Sequence, residues 1–136
     1  MKQVLYNTHV LLDVLLKREP HFSASAAALD AVGQGKKVEG YIAGHAVTTL
    51  DYLLTRQLDS KKSRIVLSEL LAKMRVAPVT DAVIRQALNS PFSDFEDAVC
   101  HAAALEAGIS VIVTRNIGNF AKGTLPAVLP ELFRAE

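Results

Sequence analysis

The chain has 136 residues, 50% of them hydrophobic, enough for one sizeable core and too few for two comfortable ones. Its 15 basic and 14 acidic residues leave a net charge of +1, which excludes a strongly basic nucleic-acid-coating protein but permits a local phosphate-binding patch. The only cysteine, Cys100, rules out an internal disulfide, and its place in an apolar helical stripe reads as packing.

The first segment, Val4 to Leu16, is a short apolar strand, Val4 to Tyr6, running into an apolar helix. It resembles the core of a signal peptide, but Asn7, His9 and Asp13 interrupt it and no small-residue cleavage site precedes Lys17-Arg18-Glu19. No uninterrupted apolar run approaches the roughly 20 residues that span a bilayer, so a soluble cytoplasmic protein is expected. Further strands are expected at Val38 to Ile42, Arg75 to Val79 and Ser110 to Val113. Continuous apolar runs of this kind suit strands buried on both faces of a parallel sheet. Between them, Ala46, Thr49, Leu50, Leu53 and Leu54 keep helical spacing, and Leu67, Leu70, Leu71 and Met74 repeat it. Asp94 to Ala107 is the clearest helix, with Phe95, Ala98, Val99, Ala102 and Ala103 as its stripe, Ser93 and Glu96 as a capping box, and Gly108 after its end. The alternation predicts a three-layer α/β fold with a central parallel sheet of four or five strands, one domain over residues 1–136.

In such a sheet ligands gather where strands end and helices begin, which directs attention to Asn7-Thr8-His9. On the Asp94 helix, Asp94, Asp97 and His101 are spaced i, i+3, i+7 on one face. Asp94 and Glu96 also suit a helix start, where the dipole favours acids. Asp97 borders the apolar stripe, where a carboxylate persists only if something pairs with it. The last strand runs into "VIVTRNIGNF", whose Thr114, Arg115, Asn116 and Asn119 would line the same carboxyl edge as Asn7; the two asparagines equally suit turns.

Four stretches, "VLYNTHVLLDVLLKREPHF", "GYIAGHAVTTLDYLLTR", "SDFEDAVCHAAALEAGISVIVTRNIGNF" and the closing "LPAVLPELF", in this order and spacing, resemble a PIN domain over essentially the whole chain. The likeness is greatest to small bacterial PIN proteins of the VapC toxin type. It implies an α/β/α fold and a Mg²⁺- or Mn²⁺-dependent endoribonuclease, often dimeric, silenced by a small antitoxin. It also implies a cleft in which three or four carboxylates surround the metal.

The sequence departs from that pattern at the cleft. Asn7 stands where the family has its strand-end aspartate, and His9 stands where an asparagine is common. Thr49 aligns with an acid on the second helix, Asp51 lying about 200° around that helix from it. Asn119 replaces the acid before the phenylalanine, whereas Asp97 and Asp94 match family acids. The resemblance makes Asp97, Asp94 and Asn7 the candidate catalytic residues. Candidate metal donors are Asp97, Asp94, Asn7, Asn119 and His9, and candidate RNA contacts are Thr8, Thr114, Arg115 and Asn116.

Hard divalent ions seek charged oxygen donors, and each anion about 4 Å away is worth on the order of 4 kcal/mol at an effective dielectric of 20. An amide oxygen coordinates but adds no charge. Weak Mg²⁺ or Mn²⁺ binding, or none, is therefore expected. Imidazole favours Zn²⁺, Mn²⁺, Fe²⁺ or Ni²⁺, so His9 with Asp97 and His101 or His45 is the substituted alternative. The competing functional reading is a catalytically silent PIN fold that binds RNA or a protein partner. A nucleotide-binding module of another kind is disfavoured, because Gly33 and Gly35 precede a strand and do not form a phosphate loop. Lys36, Lys37, Lys61, Lys62 and Arg64 offer further phosphate contacts. The apolar faces of Ala46 to Leu58 and Leu67 to Met74 predict a homodimer.

Overall fold

The computed structural model describes residues 1–33 and 35–135. Five strands, β1 (Lys2–Tyr6), β2 (Val38–Ala43), β3 (Arg75–Ala77), β4 (Val111–Val113) and β5 (Ala127–Val128), form one sheet in the order β3-β2-β1-β4-β5. Every pairing is parallel, with Leu5 of β1 opposite Tyr41 of β2 and Ile112 of β4. The helices are α1 (Thr8–Leu15), α2 (Phe22–Leu29), α3 (Gly44–Gln57), α4 (Ser60–Leu71), α5 (Asp81–Leu88) and α6 (Phe95–Glu106). This is the expected α/β sheet of the PIN-like class. The strands are closely placed, although β3 stops at Ala77 and not Val79, and β4 starts at Val111 and not Ser110. β5 has two residues, too few to leave a pattern.

The sheet is central because its strands are apolar on both faces. Leu5, Ile42 and Ile112 are fully buried, as are Leu11 and Leu12 of α1 and Leu50 and Leu54 of α3. Each such side chain contributes about 1.5–3 kcal/mol of burial. Gly40 in β2 permits a close approach: a methyl there would lie 2.8 Å from both Val32 methyls and 3.3 Å from the Tyr6 ring. The Tyr6 hydroxyl donates to the Ala28 carbonyl at 2.7 Å, and burial raises its pKa well above the usual phenol range.

Two helix starts differ in informative ways. α4 begins at Ser60, seven residues before the apolar repeat at Leu67, because Asp59 caps it by accepting from the Lys62 N–H at 2.7 Å. On α6 the cap is Asp94, which accepts from the Asp97 N–H at 2.9 Å. The Ser93–Glu96 capping box expected from sequence is therefore corrected: both neighbours are good caps, and Asp94 has the extended backbone the position needs. Gly108 ends the helix at φ +75°, as its placement predicts.

Strand order positions the site. From β1 the chain crosses outward through β2 to β3, then returns past β1 to β4 and on to β5. The order reverses between β1 and β4, and there the loops diverge to leave a crevice at the carboxyl edge of the sheet. Asn7 follows β1 and Thr114 follows β4, so both flank that crevice.

Candidate active site

Asn7 is held at the crevice from both sides. Its backbone N–H donates to the Val113 carbonyl at 3.0 Å. Its side-chain oxygen accepts the Thr8 N–H at 2.7 Å, capping α1, which leaves Nδ2 to donate to Thr114 Oγ1 at 3.0 Å. Thr114 is buried and its hydroxyl oxygen also accepts the Asn116 N–H at 3.1 Å. Across the crevice, Asn119 on the 3₁₀ turn Ile117–Phe120 donates Nδ2 to Asp97 Oδ2 at 2.9 Å. Buried Phe120 anchors that turn. Asp97, Asn7 and Asn119 are thus brought together, with Asp94 one turn back on α6 as the cap.

Asp97 is 7% exposed, and its pKa is raised. Burial is the leading cause, with hydrogen bonds from Asn119 and then Asn7 opposing it and the Asp94 and Glu96 carboxylates adding to it. Both amides present N–H groups to the crevice. A cation needs oxygen there. Among the described residues no three His, Cys, Asp or Glu side chains are placed to hold one ion. As folded, Asp97 is flanked by the Asn7 and Asn119 amides, and among the described residues His9, His45 and His101 do not group with it and a third such side chain.

The histidines have other partners. His101 Nε2 accepts the Thr124 and Leu125 N–H groups at 3.1 and 3.2 Å, beside Phe92. It pins the loop into β5, and burial lowers its pKa. Gly123 permits this approach, since a methyl there would lie 2.8 Å from the Phe92 ring. His45, at the start of α3, lies 3.2 Å from the Glu96 carbonyl and 3.6 Å from Cys100 Sγ through Nε2. Cys100 is buried as expected, and burial pushes its thiol far up. His9 is exposed, its pKa lowered by burial and then by the Arg115 and Arg18 charges. Thr8 is buried, and among the described residues its Oγ1 has no hydrogen-bond partner. Thr49 faces Glu96, Oγ1 to Oε2 at 3.5 Å, so an acid on α6 stands opposite the position where α3 lacks one.

Sequence reading passed over Asp13. It is fully buried, with Arg18 Nη2 3.1 Å from Oδ1 and Arg115 Nε 2.9 Å from Oδ2. Ser25 Oγ of α2 donates to Oδ2 at 3.3 Å. The available signal was a lone acid inside an apolar helix with an arginine five residues on.

A PIN domain model matches residues 3–118, and the chain belongs to the PIN domain family. Three solved structures share its fold. VapBC2 from Rickettsia felis, bound to a promoter DNA fragment, has TM-score 0.74 at 12% identity, covering 93% of this chain and 98% of that one. A toxin–antitoxin complex from Klebsiella pneumoniae has TM-score 0.71 at 20% identity, covering 93% and 97%. The sarcin-ricin-loop-cleaving toxin VapC20 of Mycobacterium tuberculosis has TM-score 0.64 at 16% identity, covering 80% and 86%. No curated protein sequence matches the chain. Among the described residues no helix is long and apolar enough to cross a membrane.

The raised pKa of Asp97 has a definite sign. The folded state favours the protonated carboxyl, so this residue's contribution is most favourable below the ordinary aspartate pKa and is lost as pH rises through the folded value. Asp97→Asn should therefore raise the melting temperature at pH 7 in chelator, and the gain should shrink towards pH 4. Paired thermal scans check it; a loss at pH 7 would mean that the charged carboxylate stabilises the fold.

Proposed function

We propose that this chain is a toxin–antitoxin-type PIN protein that takes RNA in the crevice, with metal-dependent endoribonuclease activity weakened by the missing charge at Asn7, Thr49 and Asn119. The observation that carries the reading is the 2.9 Å hydrogen bond from Asn119 to Asp97. A carboxylate oxygen expected to face a cation accepts an amide N–H instead. Family membership supports the substrate class, and the spread of the fold across toxin–antitoxin complexes supports a small antitoxin-like partner.

In this reading Asp97, Asp94 and Asn7 are the residues at the scissile phosphate and Arg115 and Asn116 contact the RNA, while Thr8 and Thr114, expected as contacts from sequence, are buried and support the walls of the crevice. Asp97, Asp94, Asn7, Asn119 and His9 supply the donors for Mg²⁺ or Mn²⁺, which they hold weakly at most. The unit is a single PIN domain over 1–136, cytoplasmic, and a homodimer through α3 and α4. Tyr52, Leu58 and Ile65 of this region are 63%, 40% and 52% exposed, apolar side chains that a second copy would cover. Sedimentation at micromolar concentration should show a dimer that Ile65→Asp splits; a monomeric wild type removes this part.

Restoring charge should restore metal. In Asn7→Asp/Asn119→Asp two anions return beside Asp97, and Mn²⁺ affinity measured calorimetrically should rise at least tenfold, about 1.4 kcal/mol. The same variant should melt lower than wild type in chelator, because carboxylates crowded in one crevice repel each other. RNA cleavage should appear or increase with Mn²⁺. Micromolar Mn²⁺ binding by wild type, unchanged in the variant, would overturn the charge-depleted reading. RNA binding without turnover in both proteins would favour the silent PIN fold.

A further inference from the structure

The Asp13 cluster carries more charge than its structural role needs. One carboxylate is neutralised by one guanidinium, yet two converge on it. Asp13 is sealed at 0% side-chain exposure, while Arg18 and Arg115 remain 38% and 27% exposed, leaving one positive charge in excess on two partly exposed side chains. Arg18 Nε donates to Oδ1 at 3.2 Å and Arg115 Nη2 to the same oxygen at 3.4 Å. Arg18 Nη2 and Arg115 Nε lie within ion-pair range but make no aligned hydrogen bond. Each guanidinium has five N–H donors, so Asp13 leaves most of them unspent.

The pair borders the crevice. Arg115 directly follows Thr114, whose hydroxyl accepts from Asn7. Asp13 lies one helical turn below His9 on the same face of α1, and both arginines act electrostatically on the His9 ring, as does Glu96 from the opposite wall. The crevice is therefore bipolar, with Arg18 and Arg115 on one side and Asp94, Glu96 and Asp97 on the other. An anion entering it is repelled from α6 and drawn to the guanidinia.

We propose that Arg18 and Arg115 form a phosphate-binding pair at the rim of the crevice, positioned by the shared buried carboxylate of Asp13, which grips the backbone of a single-stranded RNA without a divalent ion. The ligand class rests on the reading under Proposed function; the phosphate site does not. Planar guanidinium forks suit phosphate oxygens, and a carboxylate that holds two of them fixes their separation before the ligand arrives, reducing the ordering cost of binding.

The test uses the full chain in EDTA. Inorganic phosphate is titrated while the arginine Nε–Hε NMR signals are followed, and a fluorescent single-stranded oligoribonucleotide is titrated across a salt series. Arg18→Gln and Arg115→Gln each leave one guanidinium on Asp13, so both should fold. Lys73→Gln, exposed at the amino edge of the sheet just before β3, serves as the surface control. Phosphate should shift both Nε–Hε signals in wild type, and either arginine variant should weaken RNA binding at least fivefold and reduce the salt slope by about 0.7, with the lysine variant unchanged. RNA binding that survives in both arginine variants overturns the pair and leaves the RNA reading standing. Phosphate binding at the arginines with no RNA binding keeps the pair and overturns the RNA reading. Arginine signals that ignore phosphate, with no RNA bound, overturn both.

Discussion

Asp97 sits on α6 beside the carboxyl edge of a parallel sheet, its carboxylate withdrawn from water and, among the described residues, with no cationic side chain hydrogen-bonded to it. A buried charge in that position must be satisfied by hydrogen bonds or else be protonated, and here two asparagine amides approach it while burial still pushes its pKa up. The rest of the crevice answers to this. Asn7 gives its oxygen to the Thr8 N–H and its nitrogen to Thr114. Asn119 gives its nitrogen to Asp97 from a turn anchored by Phe120. Through these hydrogen bonds the two amides tie the carboxyl edge together.

The second buried carboxylate, Asp13, shows the contrasting solution. It is paired with charge from two guanidinia, and removing both would leave an uncompensated ion, which costs about 3–5 kcal/mol in comparable sites. Through Arg115 and Ser25 it ties the segment after β4 to α1 and α2, and so fixes the distance between the two walls that carry Thr114 and Asn7. One carboxylate, held by amides, faces the crevice; the other, held by guanidinia, braces its wall.

Most of the sheet was legible in the sequence because Val4 to Tyr6 and Val111 to Val113 are apolar without interruption and Val38 to Ile42 is broken only by Glu39 and Gly40, a pattern that suits burial on both faces. β5 was not, since two residues carry no period. At the site, the strand-end position of Asn7 and the helix-edge position of Asp97 could be read from spacing alone. His101 could not be placed, because helical spacing says which residues share a face but not what lies against it, and the loop through Gly123 claims that ring. Asp13 escaped notice for a related reason: in a sequence it interrupts an apolar run, and its partners Arg18 and Arg115 lie 5 and 102 positions away.

The proposal that the Asn7 and Asn119 amide N–H groups take the side of Asp97 that would otherwise face a metal ion is open to direct test. Side-chain NH₂ signals of Asn7 and Asn119 report on this directly in a ¹⁵N-labelled wild-type sample titrated with Mn²⁺, whose paramagnetism broadens nearby nuclei. The account predicts that both signals exchange slowly with solvent in chelator and persist at equimolar Mn²⁺. Their disappearance at substoichiometric Mn²⁺, with the rest of the spectrum intact, would place the ion beside Asp97 and contradict it.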